Sequence, residues 1–247
     1  MSHIYSDDFF DYIDRGARRS AARVIGLLYP WLKPDSVIDL GSGRGVWLDE
    51  WKNAGAREVL GLDGSYVDRD QLAIQKSEFE AVDLTKPQSL QRRFDLAQSL
   101  EVGEHLPEDA AIVLVDSLVK HSDRVLFSAA VKGQGGEFHV NEQPLRYWQK
   151  LFEDRGYSAF DCVRPHLSNE KSVEPWYRYN SILYANETGQ LGLPDVVVST
   201  RVVDPLRDAG SAQWRLRKTV VRTLPRPVVT AIAKGRAALI ARRARKH

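Results

Sequence analysis

The stretch Val37-Ile38-Asp39-Leu40-Gly41-Ser42-Gly43-Arg44-Gly45-Val46-Trp47-Leu48 constrains this chain more than any other. An apolar run carries an acid near its end, a glycine-rich turn follows, and the pattern then becomes helical. Short apolar runs before such turns read as strands buried in a parallel sheet. Glycines at 41, 43 and 45 let the backbone turn sharply and let a ligand approach where a Cβ would block it. The helix that follows offers unpaired N–H groups to that ligand. Spacing alone fits either a dinucleotide loop or a plain strand-to-helix turn. A second strand ending in an acid, Val59-Leu60-Gly61-Leu62-Asp63, narrows the choice. An acid there can accept two ribose hydroxyls.

The rest of the first 185 residues keeps a strand–helix rhythm. The patterns predict strands at about 36–40, 58–62, 79–82, 94–99 and 124–128, with helices at about 7–32, 45–54, 107–121 and 143–155. Pro107 suits a helix's first turn, and Gly156 a helix's stop. Residues 63–77 read as polar and irregular. Two late strands, about 157–163 and 179–185, follow without a full helix between them. Alternating strands and helices imply an α/β fold with a doubly wound, mostly parallel sheet.

The D-x-G-x-G-x-G run and the acid at the end of the second strand resemble motifs I and II of class I S-adenosylmethionine (SAM)-dependent methyltransferases. Ala81-Val82-Asp83-Leu84 resembles that family's acidic turn after the third strand. Phe94 to Leu106 resembles its motif IV and the helix start beyond. The resemblance covers roughly residues 15–185 and implies a Rossmann-like sheet with an antiparallel C-terminal edge. It implies SAM as cofactor, held by Asp39, Gly41, Gly43, Gly45, Asp63, Asp83, Leu84, Ser99 and Leu100, with Gln98 beside them. Asp39 equally suits a loop brace, and Trp47 suits packing against the sheet.

A second constellation is Glu101-Val102-Gly103-Glu104-His105, with carboxylates and an imidazole at i, i+3 and i+4. His139 lies after the fifth strand. This set resembles the metal ligands of small-RNA 2′-hydroxyl methyltransferases and of some ubiquinone-pathway O-methyltransferases. The resemblance implies one divalent ion, Mg, Mn or a later first-row metal, on Glu101, Glu104, His105 and His139. The competing reading takes His105 or His139 as a general base without metal, with Glu104 assisting. A Glu-rich helix start favoured by the helix dipole is the plain alternative. The polar, glycine-rich loop from Gly133 to Gln143 looks like an active-site loop, so Asn141, Glu142 and Gln143 are expected near the substrate. Trp176 and Tyr177 offer aromatic faces suited to a sugar or to packing. Segment 124–185 loosely resembles bacterial methyltransferases of glycan and secondary-metabolite clusters.

Charge separates the tail from the body. Residues 201–247 carry 13 Lys and Arg against 2 Asp and Glu, a net of +11; residues 1–200 carry 22 basic and 31 acidic, a net of −9. Val228, Val229, Ile232, Leu239 and Ile240 give the tail a basic amphipathic pattern suited to an anionic membrane surface or a partner. The aromatic interleaving of single-strand binders is sparse there, so RNA ranks behind these. Cys162 is the only cysteine, which excludes an intrachain disulfide. The Met-Ser-His-Ile-Tyr-Ser-Asp-Asp start is too acidic for a signal peptide. A cytoplasmic protein, peripheral to the inner membrane face, is therefore expected. Three regions are expected: a helical cap 1–35, a SAM-binding domain 36–188 and a basic, partly helical extension 189–247. The leading reading is O-methylation of a small hydroxylated molecule or saccharide. RNA 2′-O-methylation and a non-catalytic SAM-binding subunit anchored through its tail stand as alternatives.

Overall fold

The computed structural model describes residues 7–225, 228–232 and 235, with side chains from Gly16 onward. Among these, a seven-stranded sheet has the order β3-β2-β1-β4-β5-β7-β6. The strands are β1 (Ser36–Leu40), β2 (Glu58–Asp63), β3 (Phe79–Ala81), β4 (Leu96–Leu100), β5 (Arg124–Ser128), β6 (Ser158–Phe160) and β7 (Ile182–Ala185). β1 to β5 pair in parallel, and β7 runs antiparallel to both β5 and β6. This is the Rossmann-like sheet with an antiparallel edge that the motifs imply.

Helices cover both faces. On one, α1 (Asp7–Leu32) packs along α2 (Val46–Ala54). Ala17, Ala21, Val24 and Leu28 recur at helical spacing and are all buried. Full burial of side chains such as Val24, Ile25 and Leu28 stabilises by about 1.5–3 kcal/mol each. Arg18 on α1 reaches Asp49 (2.6 Å) and Glu50 (2.8 Å) on α2. On the other face, α3 (Glu108–His121) and α4 (Leu145–Glu153) bury Leu114, Val115, Leu118, Trp148 and Phe152 against Ile38, Val125 and Phe127. Consecutive residues of β1 therefore feed opposite cores, and Asp39 lies between them in a central strand.

The late region departs from the sequence reading. The strand expected at 179–185 begins at Ile182, because Pro175–Asn180 forms a short helix, α6. Pro175 at its first turn fixes φ, and the aromatic run that suggests a strand is wound instead. The strand expected at 157–163 ends at Phe160; the Asp161 amide instead donates to the Thr200 carbonyl (3.0 Å). Short helices α5 (Arg164–Leu167), α7 (Glu187–Gln190) and α8 (Asp195–Val198) connect these pieces. Beyond them, α9 (Ala212–Arg222) folds back toward the sheet's carboxyl edge. The apolar and basic tail positions beyond Gly235, and the side chains of Phe9, Phe10, Tyr12 and Ile13, lie outside the described residues. No helix among the described residues is long and apolar enough to cross a membrane.

Candidate active site

The glycine loop leaves β1 at its carboxyl end, where ligands of open α/β sheets bind. Gly41, Gly43 and Gly45 all have positive φ, at 94°, 54° and 79°. A Cβ on Gly41 would stand 2.2 Å from Val102, and one on Gly45 2.7 Å from Ile74. Those two glycines let neighbouring elements close. A Cβ on Gly43 would meet nothing within 4 Å, so Gly43 faces the open side of the loop.

Two acids flank this loop and are used differently. Asp39 is buried, and its Oδ2 accepts from Gln98 (2.7 Å), which in turn accepts from the Trp51 indole (2.8 Å). Its Oδ1 is buried without a hydrogen bond. Burial, offset in part by Gln98 and reinforced by Asp63, pushes its pKa up to about 7. A buried, unpaired carboxylate oxygen beside an open glycine loop suits a ligand's ammonium group. Asp63 braces the loop: it accepts from the N–H groups of Gly43 and Gly64, each at 2.6 Å, and from the Tyr66 hydroxyl. Tyr66 is 56% exposed and is the one partner that a ribose hydroxyl would displace.

The remaining cofactor positions divide. Asp83 is exposed and forms a tight turn, accepting from the N–H (3.0 Å) and Oγ1 (2.6 Å) of Thr85, which hold its pKa below the usual range. Leu84 is buried in the α3-side core. Ser99 turns its hydroxyl to the Leu40 carbonyl (2.7 Å), so it staples β4 to β1. Leu100 lies buried at the end of β4.

Past β4 the chain enters a strained turn: Glu101 has φ 59°. A 3-10 turn, Gly103–His105, follows. Here Glu104, His105 and His139 each bring one ligand atom within 4.8 Å of the others. The His105 and His139 rings meet edge to face at 4.9 Å, and His139 Nε2 lies 4.0 Å from Glu104 Oε1. Glu104 is 1% exposed, and neither carboxylate oxygen makes a hydrogen bond. Burial first, then the charge of Glu101, pushes its pKa well up, and the nearby backbone amides of Glu104 and Ala130, too poorly aligned for full hydrogen bonds, offset this only in part. The protein packed around His105, then His139, pushes the His105 pKa down to about 4. Solvent reaches the exposed ring and weakens that shift without reversing it, so His105 stays neutral. A neutral imidazole keeps the lone pair that ligation or proton transfer needs.

Glu101 stands outside this group. Its carboxylate accepts from Gln134 (2.7 Å) and, at longer reach, from Asn180 (3.5 Å). Phe138, beside His139, is a second non-glycine residue at positive φ (59°).

The residues expected at the substrate are tied to neighbours in the loop after β5 and in the core. Glu142 accepts from the amides of Gly133 and Gly135 and pairs with His139 Nδ1, each at 2.8 Å. Burial raises its pKa, but His139 and these amides outweigh that and hold it low. The carboxylate thereby turns His139 Nε2 toward Glu104, an orienting arrangement common around metal-bound histidines. Asn141 is buried, donates weakly to the Gly103 carbonyl (3.4 Å) and accepts from Gln143 (2.9 Å). Tyr177 packs on Trp47 with ring centroids 4.9 Å apart, and Trp176 is half-buried against the same core. Sequence reasoning missed Gln134 and Asn180, which are joined at 2.8 Å. Nothing in their spacing marks them, because the chain brings them together from the loop after β5 and the end of α6.

A family model described as a methyltransferase domain matches residues 12–161. No curated protein matches the chain. An O-methyltransferase family protein from Burkholderia thailandensis is similar in structure, with a TM-score of 0.57 and 13% identity over 72% of this chain and 58% of that one. The chain thus spans less than two thirds of that protein's length. The methyltransferase domain of bacterial CtHen1-C is similar with a TM-score of 0.51 and 20% identity, over 69% of this chain and 98% of that one. At these identities the likeness is one of fold.

Proposed function

The chain belongs to the methyltransferase domain family, and from that premise we propose a SAM-dependent methyltransferase that O-methylates a small hydroxylated molecule or saccharide. The acceptor site in this reading is the cluster of Glu104, His105 and His139, which holds one divalent metal ion. The observation that carries it is Glu104: a carboxylate, 1% exposed, with neither oxygen hydrogen-bonded, facing two imidazoles. A buried unpaired carboxylate is strongly destabilising unless something cationic meets it. Mixed carboxylate and imidazole donors suit Mg²⁺, Mn²⁺ or a later first-row ion. When bound, such an ion would lower the pKa of an acceptor hydroxyl, the effect that takes zinc-bound water from 15.7 to about 7.

The chain's own residues then position the reaction. Methyl transfer is an in-line displacement in which the carbon–sulfur bond breaks, its electron pair staying on sulfur as neutral S-adenosylhomocysteine, as the carbon–oxygen bond forms and the hydroxyl proton passes to solvent. The protein supplies alignment and a deprotonated nucleophile. Gly43 gives SAM close approach to the loop, and Asp39 Oδ1 accepts from its ammonium group. Asp63 receives the ribose after Tyr66 swings out. Leu100 and Glu101 lead from the end of β4 into the turn that carries Glu104 and His105. Glu142 keeps His139 aimed at Glu104. The basic extension lies toward an anionic membrane surface in this reading. Its support is the net charge of +11 over residues 201–247 and the exposed Leu216, Val220, Val228 and Ile232.

The test is transfer of labelled methyl from SAM to panels of hydroxylated small molecules, saccharides, amines and short RNAs, with EDTA or with added Mn²⁺. Incorporation into hydroxyl acceptors that EDTA removes and Mn²⁺ restores is expected. Incorporation into amines or RNA alone contradicts the acceptor class, and EDTA-resistant transfer contradicts the metal.

A further inference from the structure

The loop at Gly133–Gly136 is glycine-rich because another element lies directly against it. Gly133 and Gly135 have φ of 80° and 68°. A Cβ on Gly133 would stand 2.4 Å from the backbone carbonyl of Lys218 in α9. One on Gly135 would stand 2.9 Å from Val229 and 3.2 Å from Val221. The backbone of the loop is therefore in close contact with the inner face of α9.

That face is pinned and polar. Trp214 is buried with its ring centroid 6.1 Å from that of Tyr179. Lys218 is buried and reaches Asp208 at 3.1 Å. Arg217 donates to the Gln134 carbonyl, and Arg222 donates from Nε to the Lys132 carbonyl at 2.9 Å. The loop they grip carries two links into the site. The Gln134 side chain donates to Glu101 (2.7 Å) and accepts from Asn180 (2.8 Å). The amides of Gly133 and Gly135 hold Glu142, which orients His139.

We propose that α9 is a positioning element of the methyl-transfer site, and that Arg217 and Arg222 are its positioning residues. They fix the loop from outside the segment, 12–161, that matches the family model. Without them the loop amides open, Glu142 loses two donors and His139 loses its fixed aim. The inference rests on the proposed role of His139 and Glu104 for its metal readout only.

The experiment compares the full-length protein with Arg217→Ala, Arg217→Ala/Arg222→Ala and Arg217→Lys, well below their melting temperatures. Amide exchange at Gly133 and Gly135 and the His139 ring nitrogen shifts are read in metal-free protein. Affinity for S-adenosylhomocysteine, the demethylated product, is read by calorimetry, and Mn²⁺ affinity is read with that product bound. Exchange is expected to quicken about tenfold for each charge-assisted hydrogen bond lost. Mn²⁺ affinity is expected to fall about 10–100-fold, as for loss of an outer-shell partner. Product affinity stays within about twofold, and Arg217→Lys, which keeps one donor, restores most of both losses. A purely structural helix would lower every melting temperature and leave the loop amides, His139 and Mn²⁺ unmoved, and that result overturns the proposal. Should the double variant fail to fold, Arg217→Ala alone reads the same amides. A wild type that binds no Mn²⁺ sinks the metal reading, while exchange and the His139 shifts still decide the role of α9.

Discussion

At the scale of single residues, the site is set by carboxylates kept from water. Asp39 has a folded pKa of about 7 against about 3.9 in an unfolded chain. Its contribution to stability is therefore fully present below about pH 4 and is lost as pH rises through 7. A SAM ammonium at Oδ1 favours the carboxylate, so binding below pH 7 releases a proton. Cofactor affinity is expected to tighten as pH rises toward 7, by no more than about tenfold per unit, and to level off above. Calorimetry in buffers of differing ionisation enthalpy checks this, and Asp39→Asn should flatten the profile while weakening binding. Glu104 follows the same physics more severely. Glu104→Gln replaces the buried ionisable carboxyl by a neutral isostere. Thermal melts without metal at pH 8 are expected to show a stabilisation of about 1–3 kcal/mol. Destabilisation there would mean that Glu104 has a partner in the folded protein.

At the scale of elements, much of the architecture was legible. β1 and β5 fall on the residues their apolar runs mark, because strands buried on both faces carry near-continuous apolar residues. α6 was not legible, since six residues give too little of a 3.6 period and Tyr and Trp favour strands. α9 was hidden for another reason: its buried residues are Trp214 and Lys218 while Leu216 and Val220 are exposed, so burial runs against hydropathy. The glycine loop was legible as a ligand loop, but the sequence could not say which glycine serves packing and which serves the ligand. That division gives a test. Gly41→Ala forces a Cβ onto Val102 at positive φ and is expected to cost roughly 2 kcal/mol or more in melts. Gly43→Ala meets open space, so its stability cost should stay near 1 kcal/mol while product affinity falls over tenfold. Equal effects on stability and affinity at both positions would refute the division.

At the scale of the whole molecule, the site gathers parts from distant stretches of chain. Asp39 and Asp63 come with the glycine loop, Glu104 and His105 from beyond β4, and His139 with Glu142 from the loop after β5. α9 then presses on that loop from the basic extension. Motifs in register reveal the first of these sets, because each lies within a few residues of a strand end. They do not reveal the last, because a tail helix finds its place only through tertiary contact. The residues that converge are titratable, and among them Glu104 is buried with neither oxygen hydrogen-bonded, which is the observation the proposed cation site rests on.

The most direct measurement is therefore calorimetric titration of Mn²⁺ into the protein saturated with S-adenosylhomocysteine, for wild type and Glu104→Gln. The account predicts one equivalent bound by wild type, and binding about a hundredfold weaker or lost once the carboxylate is neutral. A wild type that binds the product yet takes up no Mn²⁺, or a Glu104→Gln variant that binds it as tightly, would contradict the account.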